Sequence, residues 1–133
     1  MYKYLFICNE NVGRSQMAEG FYNKKSGSKA SISAGLVDSS QKYNGHPRPD
    51  VIQVMQEVGI NIGDQKINQL TTEMIDVAEK IVVLCNKKIC PEAIIMRENV
   101  LYALVEDPPD IKKTIDVVRT MRDKIKLIVE NLQ

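Results

Sequence analysis

Short continuous apolar runs alternate with longer stretches of helical spacing along this chain. That alternation limits the fold more than any other feature. Tyr4-Leu5-Phe6-Ile7, Lys80-Ile81-Val82-Val83-Leu84 and Val100-Leu101-Tyr102-Ala103-Leu104-Val105 read as strands, the central ones buried on both faces as in a parallel sheet. The first strand spans residues 2–8, and Ala30-Ser31-Ile32-Ser33 reads as a shorter, alternating one. Between them, residues 15–26 read as a helix and 36–46 as a polar loop. Pro49 opens a helix with the stripe Val51, Ile52, Met55 and Val58, and Gly59 suits its C-terminal cap. Thr71 or Thr72 caps a short helix through Ala78. Beyond Pro108-Pro109 a long final helix carries Ile111, Ile115, Val118, Met121, Ile125, Ile128 and Leu132 as a core stripe.

Strand–helix alternation implies an α/β, three-layer fold with helices on both faces of a parallel sheet. With four strands, the flavodoxin-like order 2-1-3-4 is the natural one, and 133 residues suit a single domain over 1–133. In such sheets sites form at the carboxyl ends of the strands, beside the point where the order reverses. Cys8 ends the first strand, Cys85 ends the third, and Asp107 follows the fourth. Three chemically capable residues are thus expected on one edge.

The loop Cys8-Asn9-Glu10-Asn11-Val12-Gly13-Arg14-Ser15 joins the first strand to the first helix. Backbone N–H groups in such a loop and the positive end of the helix form a cradle for a tetrahedral oxyanion. The same field favours a nucleophilic thiolate at Cys8, and the planar fork of Arg14 can hold two oxyanion oxygens. Attack by that thiolate expels an oxygen that needs a proton, and Glu106-Asp107-Pro108-Pro109 supplies carboxyl groups near the edge. Asp-Pro is also an ordinary surface turn. Cys85, taken alone, reads as a small buried apolar residue at a strand end.

Cys-x5-Arg-Ser after a first strand, continued as Gln16-Met17-Ala18-Glu19-Gly20 and followed by Ser33-Ala34-Gly35, resembles the low-molecular-weight protein tyrosine phosphatase superfamily. The resemblance covers essentially the whole chain and is nearest to the thioredoxin-coupled arsenate reductases. It implies Cys8 as nucleophile, Asp107 as proton donor, and Asn9, Glu10, Asn11, Val12, Gly13 and Arg14 as the oxyanion loop. Asn11 matches an asparagine that orders that loop, and Ser15 a hydroxyl that donates to the thiolate. Gly13 replaces a cysteine often found there, and Glu10 stands where glycine is common. Cys85 and Cys90 match two further cysteines of the reductases. The implied activity is reduction of arsenate to arsenite: Cys8 attacks arsenate, Cys85 attacks the Cys8 sulfur, and Cys90 resolves the resulting disulfide. Thioredoxin or another thiol then acts as reductant. Only four residues separate Cys85 from Cys90, fewer than is usual, so the relay implies a mobile or remodelled segment from Cys85 to about Ile95. Some such reductases bind potassium through residues matching Asn11, Glu19 and Ser33. The alternative the resemblance carries is a phosphatase acting on a phosphotyrosine protein through a phosphocysteine. No aromatic follows Asp107-Pro108, though Tyr43 and Tyr102 remain candidates for a wall. Gln16 follows the reductase pattern.

Composition excludes other classes. Lys and Arg number 18 against 17 Asp and Glu, with no basic stripe, so nucleic acid is not an expected partner. No run is long enough for a membrane span, and no signal-peptide pattern opens the chain, which points to the cytoplasm. There, three cysteines are better read as catalytic or buried than as structural bridges. The one histidine, His46, reads as a solvated loop residue and gives little support for a zinc site.

Overall fold

The computed structural model describes all residues, 1–133. Four strands, β1 (Tyr2–Cys8), β2 (Ser31–Gly35), β3 (Ala78–Val83) and β4 (Val100–Tyr102), form one parallel sheet in the order β2-β1-β3-β4. Five helices cover it: α1 (Arg14–Ser26), α2 (Pro49–Glu57), α3 (Thr72–Asp76), α4 (Glu92–Ile95) and α5 (Ile115–Glu130).

The two-residue period of the strands sorts the core into two layers. On one face Tyr4, Phe6, Val82 and Leu84 pack with Met17, Ala18 and Phe21 of α1, Val54 and Met55 of α2, and Val118, Met121 and Ile125 of α5. On the other, Leu5, Ile7, Ile81 and Val83 pack with Ile75 of α3 and Ile94 of α4. Cys8, Cys85 and Cys90 all belong to this second layer.

Local chemistry sets the boundaries. Gly27, left-handed at φ 73°, closes α1 by donating its N–H to the Asn23 carbonyl. The hydroxyls of Thr71 and Thr114 accept from the N–H groups of Met74 and Val117 and so cap α3 and α5. Gly35 can only be glycine. A Cβ there would stand 2.7 Å from the Glu10 carbonyl carbon, because the end of β2 runs directly against the loop after β1.

Several expectations are corrected. The short helix ends at Asp76 rather than Ala78, which begins β3 and pairs with Tyr2. The regular part of β4 stops at Tyr102, although the Ala103 and Val105 N–H groups still donate to the Val83 and Leu84 carbonyls. Val58 is exposed, since α2 ends at Glu57, and Val54 takes the inward position. Ile111 is 92% exposed and no part of the final stripe. The chain after Pro109 first makes a tight turn over Asp110–Lys112, and α5 starts only once Thr114 caps it. His46 is half-buried, with Nδ1 2.8 Å from the Gln65 carbonyl oxygen, rather than solvated.

Candidate active site

The loop from Cys8 to Ser15 wraps a cavity at the carboxyl edge of the sheet. Cys8, Glu10, Val12, Gly13 and Arg14 line its floor, and Tyr43, Arg48, Asp107, Asp110 and Lys113 its walls. Asn9, Asn11 and Ser15 do not line it. Asn11 and Ser15 are completely buried behind it.

Their task is visible in the hydrogen bonds. The Asn11 N–H points at Cys8 Sγ at 3.2 Å, and Ser15 Oγ lies 2.9 Å from the same sulfur. Asn11 Nδ2 donates to Ser15 Oγ at 2.7 Å. A serine oxygen that already accepts from Asn11 has its own proton free for Cys8. Both contacts then converge on the sulfur as donors, which is the environment a thiolate accepts.

Asn11 holds φ at 64°, a left-handed conformation, and a polar brace keeps it there. Its Oδ1 accepts from Gln16 Nε2 at 3.1 Å and from the Asn68 N–H at 2.8 Å. Gln16, buried within α1, also donates to the carbonyls of Asn11 and Lys66, and accepts from Gln65 Nε2. Val12 is fixed by its carbonyl, which accepts the Arg48 N–H at 3.0 Å. Asn9 is fixed likewise by the Val37 N–H.

Arg14 is almost fully buried. Its Nη1 donates to the carbonyls of Leu84, at 3.2 Å, and Val105, at 2.8 Å. These bonds tie the guanidinium to the chain leaving β3 and β4. Nε and Nη2 carry no hydrogen bond, so one edge of the fork is left for an anion. Nη2 is 3.8 Å from Asp107 Oδ2, and Lys113 Nζ is 2.7 Å from Asp107 Oδ1. The Asp107 carboxylate therefore stands beside Arg14 over the cavity. Glu10 is paired with Lys42, which balances its charge at the rim.

Behind the floor lie the other two cysteines, all three thiols being free and buried. Burial pushes the Cys85 thiol up to about 12, with the neighbouring Cys90 and Cys8 adding to the shift and Arg14 opposing it. Burial also raises Cys90, against contributions from Cys85 and Lys87. Each cysteine is thus within electrostatic reach of Cys85. From Asn86 to Arg97 the chain forms a tight turn at Lys87–Ile89 and then α4. Ile94 is its one fully buried side chain.

Ser33 Oγ donates to Glu19 Oε1 at 2.7 Å, and burial raises the Glu19 carboxyl. Asn11 Oδ1, the third member of the trio matched to potassium, already accepts two hydrogen bonds. A cation using all three would have to displace one of them. Tyr43 reaches the cavity wall, whereas Tyr102 does not and keeps its hydroxyl buried.

Sequence reasoning missed Gln65, Asn68, Lys113 and Arg48. The first two lie in a polar stretch without periodicity. The other two became relevant only once the turn after Pro109 and the start of α2 were placed beside the loop.

A phosphatase-like fold with a Cys-x5-Arg cradle and an Asp above it defines the class. Residues 3–132 match the low molecular weight phosphotyrosine protein phosphatase family, and the chain belongs to it and is an enzyme. It is 32% identical over 133 residues to the glutaredoxin arsenate reductase of Synechocystis, covering 99% of this chain and 96% of that protein. A solved arsenate reductase in its phosphate-binding state superposes with a TM-score of 0.79 at 32% identity, covering 98% of this chain and 95% of the other. A tyrosine phosphatase of Erwinia amylovora superposes as well, with a TM-score of 0.80 over 98% of this chain and 90% of its own. At 22% identity that likeness shows the fold alone. No helix is long and apolar enough to cross a membrane.

Proposed function

We propose that this enzyme reduces arsenate to arsenite, with Cys8 as nucleophile and Cys85 and Cys90 as the thiols that supply electrons. The observation that carries the reading is the gathering of all three cysteines of the chain in one buried layer, Cys8 in the oxyanion cradle and Cys85 and Cys90 behind it. A phosphatase needs only the first of them. The relatives named as arsenate reductases, at 32% identity, support the same choice.

The Cys8 sulfur attacks arsenic while Arg14 and the loop N–H groups hold the equatorial oxygens. Asp107 gives its proton to the departing oxygen, which leaves as water. Cys85 then attacks the Cys8 sulfur. The sulfur–arsenic bond breaks with its electron pair staying on arsenic, which leaves as arsenite, and a Cys8–Cys85 disulfide forms. Cys90 attacks Cys85, the Cys8 thiolate is released, and a Cys85–Cys90 disulfide remains for a dithiol protein to reduce.

A thiol held near 12 is a poor nucleophile, so Cys85 has to become more solvated before it attacks. The chain offers a route. Backbone hydrogen bonds between Asn86 and Arg97 are local, such as Ile89 to Asn86, Cys90 to Lys87 and Met96 to Glu92. The segment can swing without unpairing the sheet, and the main cost is exposing Ile94, about 1.5–3 kcal/mol.

The test is arsenite formation with thioredoxin or glutaredoxin systems, run beside hydrolysis of an aryl phosphate. The reading expects arsenite formation that Cys85→Ser and Cys90→Ser each abolish. Arsenate turnover that survives both changes, or aryl phosphate hydrolysis with no arsenite, contradicts it.

A further inference from the structure

One buried cation at the site, on the cavity wall, lies outside the cradle loop and is paired with two carboxylates. Lys113 keeps its side chain only 10% exposed, an unusual situation for a lysine. Its Nζ is 2.7 Å from Asp107 Oδ1 and 3.3 Å from Asp110 Oδ1. Asp110 Oδ1 in turn accepts from Arg48 Nη1 at 3.0 Å. The Arg48 N–H is bonded to the Val12 carbonyl of the cradle, and Arg48 Nε lies 3.1 Å from Asp50 at the start of α2. A continuous string of contacts therefore runs from the carboxylate above the cavity to the loop below it.

The two oxygens of Asp107 are not equivalent in this arrangement. Oδ1 is occupied by Lys113, and Oδ2 faces Arg14 at 3.8 Å. An ammonium on one carboxylate oxygen leaves the other as the site for a proton. It also fixes the rotation of the group, which a neutral donor such as a loop N–H or a water would do less firmly.

We propose that Lys113 is the positioning residue for Asp107. It holds Oδ1, directs Oδ2 at the leaving oxygen of the bound oxyanion, and references the acid loop to the cradle through Asp110 and Arg48. This rests on the reading of Asp107 as proton donor, not on the choice of arsenate as substrate. In the step concerned, Cys8 sulfur bonds to phosphorus or arsenic, the bond to the leaving oxygen breaks, and the proton on Oδ2 moves to that oxygen. Lys113 exchanges no atom.

The experiment compares kcat/KM for phenyl phosphate, whose leaving oxygen needs a proton, with that for dinitrophenyl phosphate, whose leaving oxygen does not. Lys113→Met is expected to slow the first by about 10- to 100-fold, less than the roughly 10²- to 10⁴-fold that loss of a general acid itself costs, and the second by less than about 3-fold. Lys113→Arg restores most of the loss. In an Asp107→Asn background, Lys113→Met adds nothing further. Asp110→Asn, at an exposed position and so safe for folding, shifts the same ratio in the same direction by a smaller factor. Equal losses on both substrates, or losses that multiply with Asp107→Asn, overturn the proposal. An enzyme that hydrolyses aryl phosphates without making arsenite contradicts the reductase reading and leaves the Lys113 ratio fully readable.

Discussion

The loop after β1 and the segment after β3 lie against each other, yet they are built in opposite ways. The loop from Cys8 to Ser15 is held from every side. Asn11, Ser15 and Gln16 are completely buried polar residues, and each is bonded to a neighbour that is itself bonded. Such a network is costly to disturb because every broken bond strands a buried partner. The segment from Asn86 to Arg97 has local backbone bonds, one fully buried side chain, and at its far end an exposed ion pair between Arg97 and Asp76. Binding a charged oxyanion demands donors fixed before the ligand arrives. Passing a disulfide from one sulfur to another demands that sulfurs approach and part. The contrast is the one that the proposed relay requires.

The largest effect is expected at the fixed centre. Cys8→Ser should remove arsenate and aryl phosphate chemistry together, by about 10⁴-fold or more, as the loss of a nucleophile does elsewhere. Arg14→Lys comes next. A lysine cannot reach the Leu84 and Val105 carbonyls and also hold two oxyanion oxygens, so kcat/KM should fall by about 100-fold or more in either assay. Asn11→Ala strands an acceptor on Ser15 and donors on Gln16 and Asn68. A loss of about 1–3 kcal/mol for each stranded group is expected in chemical unfolding. Native-state hydrogen exchange would sharpen the comparison directly. Amides of Cys90 and Met96 should exchange at least about 100-fold faster than those of Phe6 and Ile7, and equal protection would dissolve the contrast.

The smallest effect is on the pH dependence of stability. The ordinary thiol value is 9.0, and burial raises Cys85 to about 12. Below the lower value both folded and unfolded chains keep this proton, and stability is intact. Above it the unfolded chain releases the proton first, so stability declines as pH climbs towards the folded value. The urea midpoint should therefore hold steady up to about pH 9 and drop as pH rises above it, and Cys85→Ala should drop less.

The sheet order and the placing of Cys8, Arg14, Cys85 and Asp107 at one edge were legible in the sequence. Continuous apolar runs and their punctuation encode a parallel sheet, and the strand ends then follow. Gln65 and Asn68 were not legible, because a polar stretch without periodicity gives no sign of which backbone it will brace. Lys113 was hidden for a different reason. The apolar spacing of Ile111 and Ile115 suggested a helix already under way, while the turn at Asp110–Lys112 sends that lysine back over the cavity. Tight turns that deliver charged side chains leave little trace in hydrophobic patterning.

The measurement that bears most directly on the central claim is a single turnover without any external reductant. Fully reduced enzyme is mixed with arsenate, and both arsenite and remaining thiols are counted, with the disulfide located by peptide mass spectrometry. The account expects one arsenite per chain, the loss of two of the three thiols, and a final bridge between Cys85 and Cys90. Three intact thiols and no arsenite, with aryl phosphate still hydrolysed, would show that the cradle serves a phosphatase and that the two inner cysteines are merely core.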